Sequence, residues 1–352
     1  MSVLGVSCAV FDPENASDSA KLAYGVGTPV PAAGETPNVG TANRDAADDP
    51  EIWADPNDPS RGAIFGTDKQ SGLYVYDLTG AQTQFLGGGR LNNVDLRDGF
   101  TANVKPQVLV GASNRDRKGV SFFLLDPATL KVAPWGFAPS AIDLPYGFCM
   151  GRRGAEVIAV MNSEGGQVRQ YRVSDKDGQP ALTEERVFEV GSQTEGCVID
   201  DVAGVLYVGE EAKGIWRYSL DPATGSARTQ LAAAPSEMLK PDVEGLTLLR
   251  EGAKTWLIAS SQGDSAFAVW RVDGPQAEYR GRFSVMPGGG ADAVTGTDGI
   301  AALGGPVGAF PEGLFVAQDD VDTEGETTGG GRTRQNFKLV DWRAVKAALN
   351  LN

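Results

Sequence analysis

Acidic side chains carry most of the candidate chemistry of this chain, and they stand in small groups just before apolar segments. Asp48 and Asp49 directly precede Pro50. Proline disfavours helical backbone at the residue before it, so the pair is extended. Neighbouring side chains in extended backbone point opposite ways. One carboxylate can therefore face inward while the other meets an adjoining loop. Comparable groups recur: Asp95 with Arg97, Glu195, Glu210 with Glu211, Asp242 with Glu244 at a spacing of two, and Asp319 with Asp320. Each alone reads as a solvated turn. Brought together, such carboxylates repel one another and call for cations, and calcium takes about six to eight oxygen ligands from sets of this kind.

The chain contains no histidine. That excludes Ser-His-Asp and Cys-His nucleophile systems, phosphohistidine chemistry and histidine-ligated zinc. A net charge of −15 argues against a nucleic-acid or anionic-membrane partner. No run of about 20 apolar residues is present, so no helical membrane span is expected. Cys8, Cys149 and Cys197 lack a CxxC spacing. One disulfide is open to them, and Cys149 and Cys197, each beside an apolar strand, read as ordinary core residues.

The elements that must position the acids repeat. A small or polar residue followed by an alternating apolar strand begins at Gly72, Gly119, Gly166, Gly214, Ala266 and Asn336. The intervals approach the length of a four-stranded blade, which predicts an all-β, six-bladed propeller of four- to five-stranded antiparallel blades. A propeller gathers loops from every blade around one axis, so acids distant in sequence can meet. The 46 glycines and 20 prolines suit a fold of many tight turns. Residues 1–28 are expected as an N-terminal extension and 29–352 as a single propeller domain. The segment from Thr28 to Pro37 is a candidate for the strand that closes the last blade. Asp341 is placed to cap a short C-terminal helix with Trp342, Val345, Ala348 and Leu349 on one face. The Gly-rich stretches 287–299 and 319–335 are expected as surface loops.

Several stretches together resemble the β-propeller phytases: DAADDP at 45–50, GTDKQSGLYVY at 66–76, LNNVDLR at 91–97, ASNR at 112–115, YGF at 146–148, SQTEG at 192–196, PDVEGL at 241–246, SSQG at 260–263, FVAQD at 315–319 and QNFK at 335–338. The resemblance covers roughly 40–345. It implies calcium-dependent hydrolysis of phytate phosphomonoesters by metal-activated water at a site on the top face. Two neighbouring phosphate positions are implied there, one for cleavage and one for anchoring. By motif match, Asp48, Asp49, Glu195, Glu211, Asp242, Glu244 and Asp319 are implied as calcium ligands. Lys69, Arg115, Tyr146 and Glu195 are implied in catalysis. Lys69, Arg115 and Tyr146, with Glu164 and Gln262, are implied in substrate binding. Gln70 and Ser163 stand where the family often has lysines. The same resemblance implies a secreted or periplasmic protein, read here as a monomer whose signal peptide has been removed. The alternatives are a six-bladed calcium-dependent lactone hydrolase, for which Lys69 with Arg115 has no evident use, and a non-catalytic propeller stabilised by calcium.

Overall fold

The six repeated segments each supply one strand of an antiparallel blade, and in every blade it is the third. The structure, a computed structural model, describes residues 25–41, 45–102, 105–320 and 335–351. The first blade holds β3 (Ala47–Asp55), β4 (Asp58–Asp68), β5 (Gly72–Tyr76) and β6 (Gln82–Gly87). The second holds β7 (Leu91–Ala102), β8 (Lys105–Asn114), β9 (Gly119–Asp126) and β10 (Lys131–Pro139). The third is β11 (Pro145–Arg153), β12 (Glu156–Ser163), β13 (Gln167–Lys176) and β14 (Gln179–Glu189). The fourth is β15 (Thr194–Asp200), β16 (Val205–Glu210), β17 (Gly214–Ser219) and β18 (Arg228–Ala233). In the fifth, β19 (Val243–Glu251), β20 (Lys254–Ser261), β21 (Ala266–Arg271) and β22 (Glu278–Met286) are joined by β1 (Thr28–Pro31), which runs parallel to β22. In the sixth, β23 (Ile300–Gly304), β24 (Gly313–Asp319) and β25 (Asn336–Asp341) are completed by β2 (Gly34–Glu35). The expected closing strand is therefore the Gly34–Glu35 part of the segment; its Thr28–Pro31 part widens the preceding blade instead.

The first strand of each blade touches the first strand of the next, from β3 through β7, β11, β15, β19 and β23 back to β3. These six strands line the axis. Between blades, apolar faces interleave in buried clusters. One joins Phe65, Leu73 and Val75 to Val108, Val110 and Phe123, and another joins Phe267, Phe283 and Phe315. The helix α1 (Trp342–Leu349) begins at Asp341, whose side chain accepts from Arg343 N, and it buries Trp342, Val345 and Leu349.

Two expectations need correction. Cys149 and Cys197 are core residues, but they are bonded to each other as a disulfide between β11 and β15. The innermost strands of neighbouring blades run side by side, which puts their Cα atoms 5.7 Å apart. The stretch 287–299 is also more than a surface loop. Its first turn is open, but Ala291, Ala293, Val294, Thr295 and Thr297 are buried, and Asp292 and Asp298 are nearly so. The other Gly-rich stretch lies, over 321–334, outside the described residues.

Candidate active site

One register irregularity, repeated around the ring, builds the site. Where the first strand of a blade begins, it carries one residue more than its partner strand. The pairing shifts between Ala47 and Pro50, Leu91 and Val94, Pro145 and Phe148, Thr194 and Cys197, and Val243 and Leu246. A β-bulge of this kind turns side chains out of the ladder and is common beside functional sites. The bulged pairs are Asp48-Asp49, Asn92-Asn93, Tyr146-Gly147, Glu195-Gly196 and Glu244-Gly245; Asp298-Gly299 holds the corresponding place before β23. Glycine is required where neighbouring bulges touch. A Cβ on Gly147 would overlap the carbonyl oxygen of Glu195, and one on Gly196 that of Glu244. The bulges are also hydrogen-bonded in sequence around the axis, Gly245 N to Asp298 O (2.8 Å) and Gly299 N to Asp48 O (3.0 Å). The turns that follow the second strands lie at the same end, because each first strand starts opposite the end of its second. They bring Lys69, Arg115, Glu164, Glu211 and Gln262 to the same face.

At the centre, one carboxylate oxygen from each of Glu195, Glu211 and Glu244 lies within 4.8 Å of the others, and all three residues are buried. Burial raises the pKa of Glu195 and Glu244 well above the usual carboxylate range. The charge of Asp48 adds to this at Glu195, and that of Glu211 at Glu244. Asp242 stands close enough to raise Glu244 further. Glu195 is oriented by Asn92 Nδ2, which donates to Oε1 at 2.7 Å, and by a hydrogen bond with the Tyr146 side chain.

Beside this triad, Lys69 Nζ meets Asp45 Oδ2 at 2.9 Å, Asp48 Oδ1 at 3.1 Å and Asp298 Oδ2 at 2.9 Å. Burial alone would lower the ammonium pKa; Asp298, Asp48 and Asp45 outweigh it and raise the pKa well above the usual lysine value. The single cation cannot balance all its neighbours, and burial pushes Asp48 up to about 7. Gln262 Nε2 donates to Asp298 Oδ1 at 2.6 Å. Arg115 forms an ion pair with Glu164, donates to Asn92 Oδ1 at 3.2 Å and lies over the Tyr146 ring, 5.2 Å from its centre. Thus Arg115, Asn92, Glu195 and Tyr146 form one connected chain of contacts.

Asp49 turns away from this group, its Oδ2 accepting from Val94 N at 2.9 Å in the next blade. Asp319 is not brought into the triad. It pairs with Lys338 Nζ at 2.9 Å, which also meets Asp292 (2.6 Å) and Glu35 (2.7 Å). The sequence reading missed Asp298, Asp45 and Asn92. A signal for Asp298 was available: Asp298-Gly299-Ile300 repeats the acid-glycine-apolar pattern of Glu195-Gly196-Cys197 and Glu244-Gly245-Leu246.

The donor set fits a hard cation. It consists of carboxylate oxygens in a buried cluster, and Glu244 Oε2 is buried with no hydrogen-bond donor among the described residues. A six-bladed propeller with an acidic centre flanked by a lysine and an arginine is built to hold a cation beside an anionic ligand.

The sequence profile of the family described as phytase matches residues 5–352. A 3-phytase of Bacillus subtilis (strain 168) is 35% identical over 314 residues, covering 86% of this chain and 80% of that protein. The chain belongs to the phytase family and is a phytase, a phosphoric monoester hydrolase acting on a small-molecule substrate. Among solved structures, an α-L-arabinofuranosidase from Fusarium graminearum, Arb93A, matches with a TM-score of 0.56 at 10% identity, over 89% of this chain and 98% of that one. A luciferin-regenerating enzyme matches with a TM-score of 0.51 at 8% identity, over 87% and 95%. At these identities the likeness is one of fold alone.

Proposed function

We propose that this phytase depends on calcium and that Glu195, Glu211 and Glu244 hold the ion or ions, with Asp48, Asp242 and Asp298 at the margin. The observation that carries the reading is the buried approach of three glutamates from the fourth and fifth blades to within 4.8 Å. Their mutual repulsion, and the unserved oxygen of Glu244, are relieved by a divalent cation with oxygen preference. Calcium bound there would neutralise these carboxylates and the phosphoryl oxygens of the substrate and polarise the attacking water.

The chain's own groups do the rest. Lys69 and Arg115 grip phosphoryl oxygens, the guanidinium through its planar fork, and take up charge as the ester P–O bond breaks. Glu164 and Asn92 hold Arg115 in place, and Asn92 and Tyr146 fix the direction of Glu195. Gln262 keeps Asp298 turned toward Lys69. Asp49 and Asp319 are then assigned to holding neighbouring elements together, through Val94 and Lys338.

A secreted or periplasmic location is supported by the Cys149–Cys197 disulfide, since such bonds persist in oxidising compartments. No helix among the described residues is long and apolar enough to cross a membrane. A monomer is supported by the scatter of exposed large apolar residues such as Phe85, Val187, Val202 and Tyr279 over different blades.

The test is phosphate release from phytate at neutral pH, with millimolar calcium and then with excess chelator. Release that stops with chelator and returns with calcium is the expected result. Release that ignores the chelator overturns the calcium assignment.

A further inference from the structure

A cavity opens at the same end of the propeller, on the outer edge of the fourth blade. It has a volume of about 560 Å³, and its wall includes Ser192, Glu210, Lys213, Trp216, Arg228 and Gln230. Two features set it apart from the acidic centre.

The first is its charge. Lys213 and Arg228 have no carboxylate partner among the described residues. The Arg228 guanidinium carbon lies over the Trp216 ring, 3.8 Å from its centre. Its Nη1 donates to Val190 O (2.7 Å) and Tyr218 Oη (3.0 Å), and its Nη2 has no acceptor among the described residues. The one acid in the wall, Glu210, is turned to other donors, Ser192 Oγ at 2.6 Å and Trp216 Nε1 at 2.7 Å. The cations that face the centre, by contrast, each stand beside carboxylates. Lys69 meets three carboxylates and Arg115 meets Glu164. The neighbouring Gln70 donates to Asp45 O at 2.8 Å, and Ser163 Oγ accepts from Gln167 N at 2.9 Å. Neither adds charge.

The second feature is position. Glu210 lines the cavity, and its neighbour in the chain, Glu211, belongs to the central triad. Ser192 lines the cavity three residues before Glu195 on the same entering segment.

We propose that this cavity is a further anion subsite, holding a distal phosphate of a polyphosphorylated substrate while another phosphate occupies the acidic centre. The inference rests on the reading of that centre as the place of hydrolysis. Arg228 is pre-oriented by its stack on Trp216 and offers its outer edge to phosphate oxygens. Lys213, exposed and mobile on its four-carbon stem, closes over the same group as a point charge. The subsite distinguishes substrates with several phosphates from those with one.

The experiment compares KM for phytate with KM for phenyl phosphate at one fixed calcium concentration, in the wild type, in Lys213→Glu and in Arg228→Gln. The expected result for Lys213→Glu is a rise of about tenfold in the ratio of the two KM values, with kcat on phytate within about twofold. An unchanged ratio overturns the subsite, and so does an equal rise in both KM values, which would mark a general effect of charge. Arg228→Gln also removes a packed side chain, so its circular dichroism and melting curve are recorded. Lys213 is exposed, and Lys213→Glu decides the matter if the arginine variant does not fold. Wild-type release that persists in chelator would sink the calcium reading while the KM ratio still decides the subsite.

Discussion

Lys69 and Asp298 meet at 2.9 Å across 229 residues of sequence, joining a hairpin of the first blade to the entry of the sixth. The contact closes the ring at the site itself. It also explains why a lysine stays charged in a buried position: Asp298, Asp48 and Asp45 surround it. Removing the ammonium while keeping the carboxylates leaves buried negative charge uncompensated, which costs about 3–5 kcal/mol. Lys69→Met is therefore expected to lower the stability of calcium-free protein by that order and to abolish phosphate release. Denaturant unfolding with and without calcium measures the first part; a variant as stable as wild type without calcium would refute the account.

Much of the fold was legible because it is local. The six starts at Gly72, Gly119, Gly166, Gly214, Ala266 and Asn336 mark the third strands, whose alternation needs no partner to be read. The acids before the first strands were legible for the same reason. What escaped depends on contacts between blades. Asp298 acquires meaning only when Gly245 N reaches its carbonyl and Lys69 its carboxylate. Cys149 and Cys197 pair because β11 and β15 adjoin, a relation no spacing along the chain encodes. Asp319, grouped by motif with the central acids, is paired with Lys338 by the geometry of β24 and β25.

Glu195 connects Asn92, Tyr146 and the glutamate triad. Glu195→Gln keeps the side chain's shape and its ability to accept from Asn92, but removes one negative charge from the cluster. It is expected to weaken calcium affinity about 10- to 100-fold and to lower kcat on phytate in parallel, with an unaltered far-ultraviolet spectrum. Calcium titration by calorimetry checks the affinity directly. Wild-type affinity in this variant would remove Glu195 from the ligand set.

The buried acids give a pH dependence with a definite sign. Burial pushes Asp48 and Asp319 up to about 7 and Glu51 up to about 8. In the unfolded chain such carboxyls titrate near about 4. Between about pH 4 and pH 8 the unfolded state has therefore released protons that the folded state still holds. Stability from these groups is fully present below about pH 4 and is lost as pH rises through the window. Calcium-free protein is expected to melt at a lower temperature at pH 8 than at pH 5. The increase on adding calcium is expected to be larger at pH 8, where the cation replaces missing protons. A calcium-induced shift equal at both values, or a calcium-free melting temperature that climbs with pH, would contradict this assignment.

The Cys149–Cys197 bond spans 48 residues and ties the strands that carry Tyr146 and Glu195. Closing a loop of that length removes about 4 kcal/mol of unfolded-state entropy in the chain model. The double variant Cys149→Ala/Cys197→Ala is expected to lose about 2–4 kcal/mol in denaturant unfolding. Phosphate release below its transition is expected to persist, since the bulges still hold Tyr146 against Glu195. Loss of activity at full foldedness would instead make the disulfide a positioning element for the site.

Gly196 tests the bulge ring as the scaffold of the site. Its position leaves no room for a Cβ, because the Glu244 carbonyl of the next blade occupies that space. Gly196→Ala must push the fourth and fifth blades apart where Glu195 and Glu244 approach each other. Overpacking of this kind costs about 1–3 kcal/mol, and the displacement falls on two of the three triad residues. The expected outcome is a moderate fall in melting temperature with a disproportionate loss of calcium affinity. Gly204→Ala, at a turn with open space around it and a φ of 64°, serves as the control for backbone strain alone. If both variants lose stability equally and neither loses calcium affinity, the close approach of the bulges does not set the geometry of the centre.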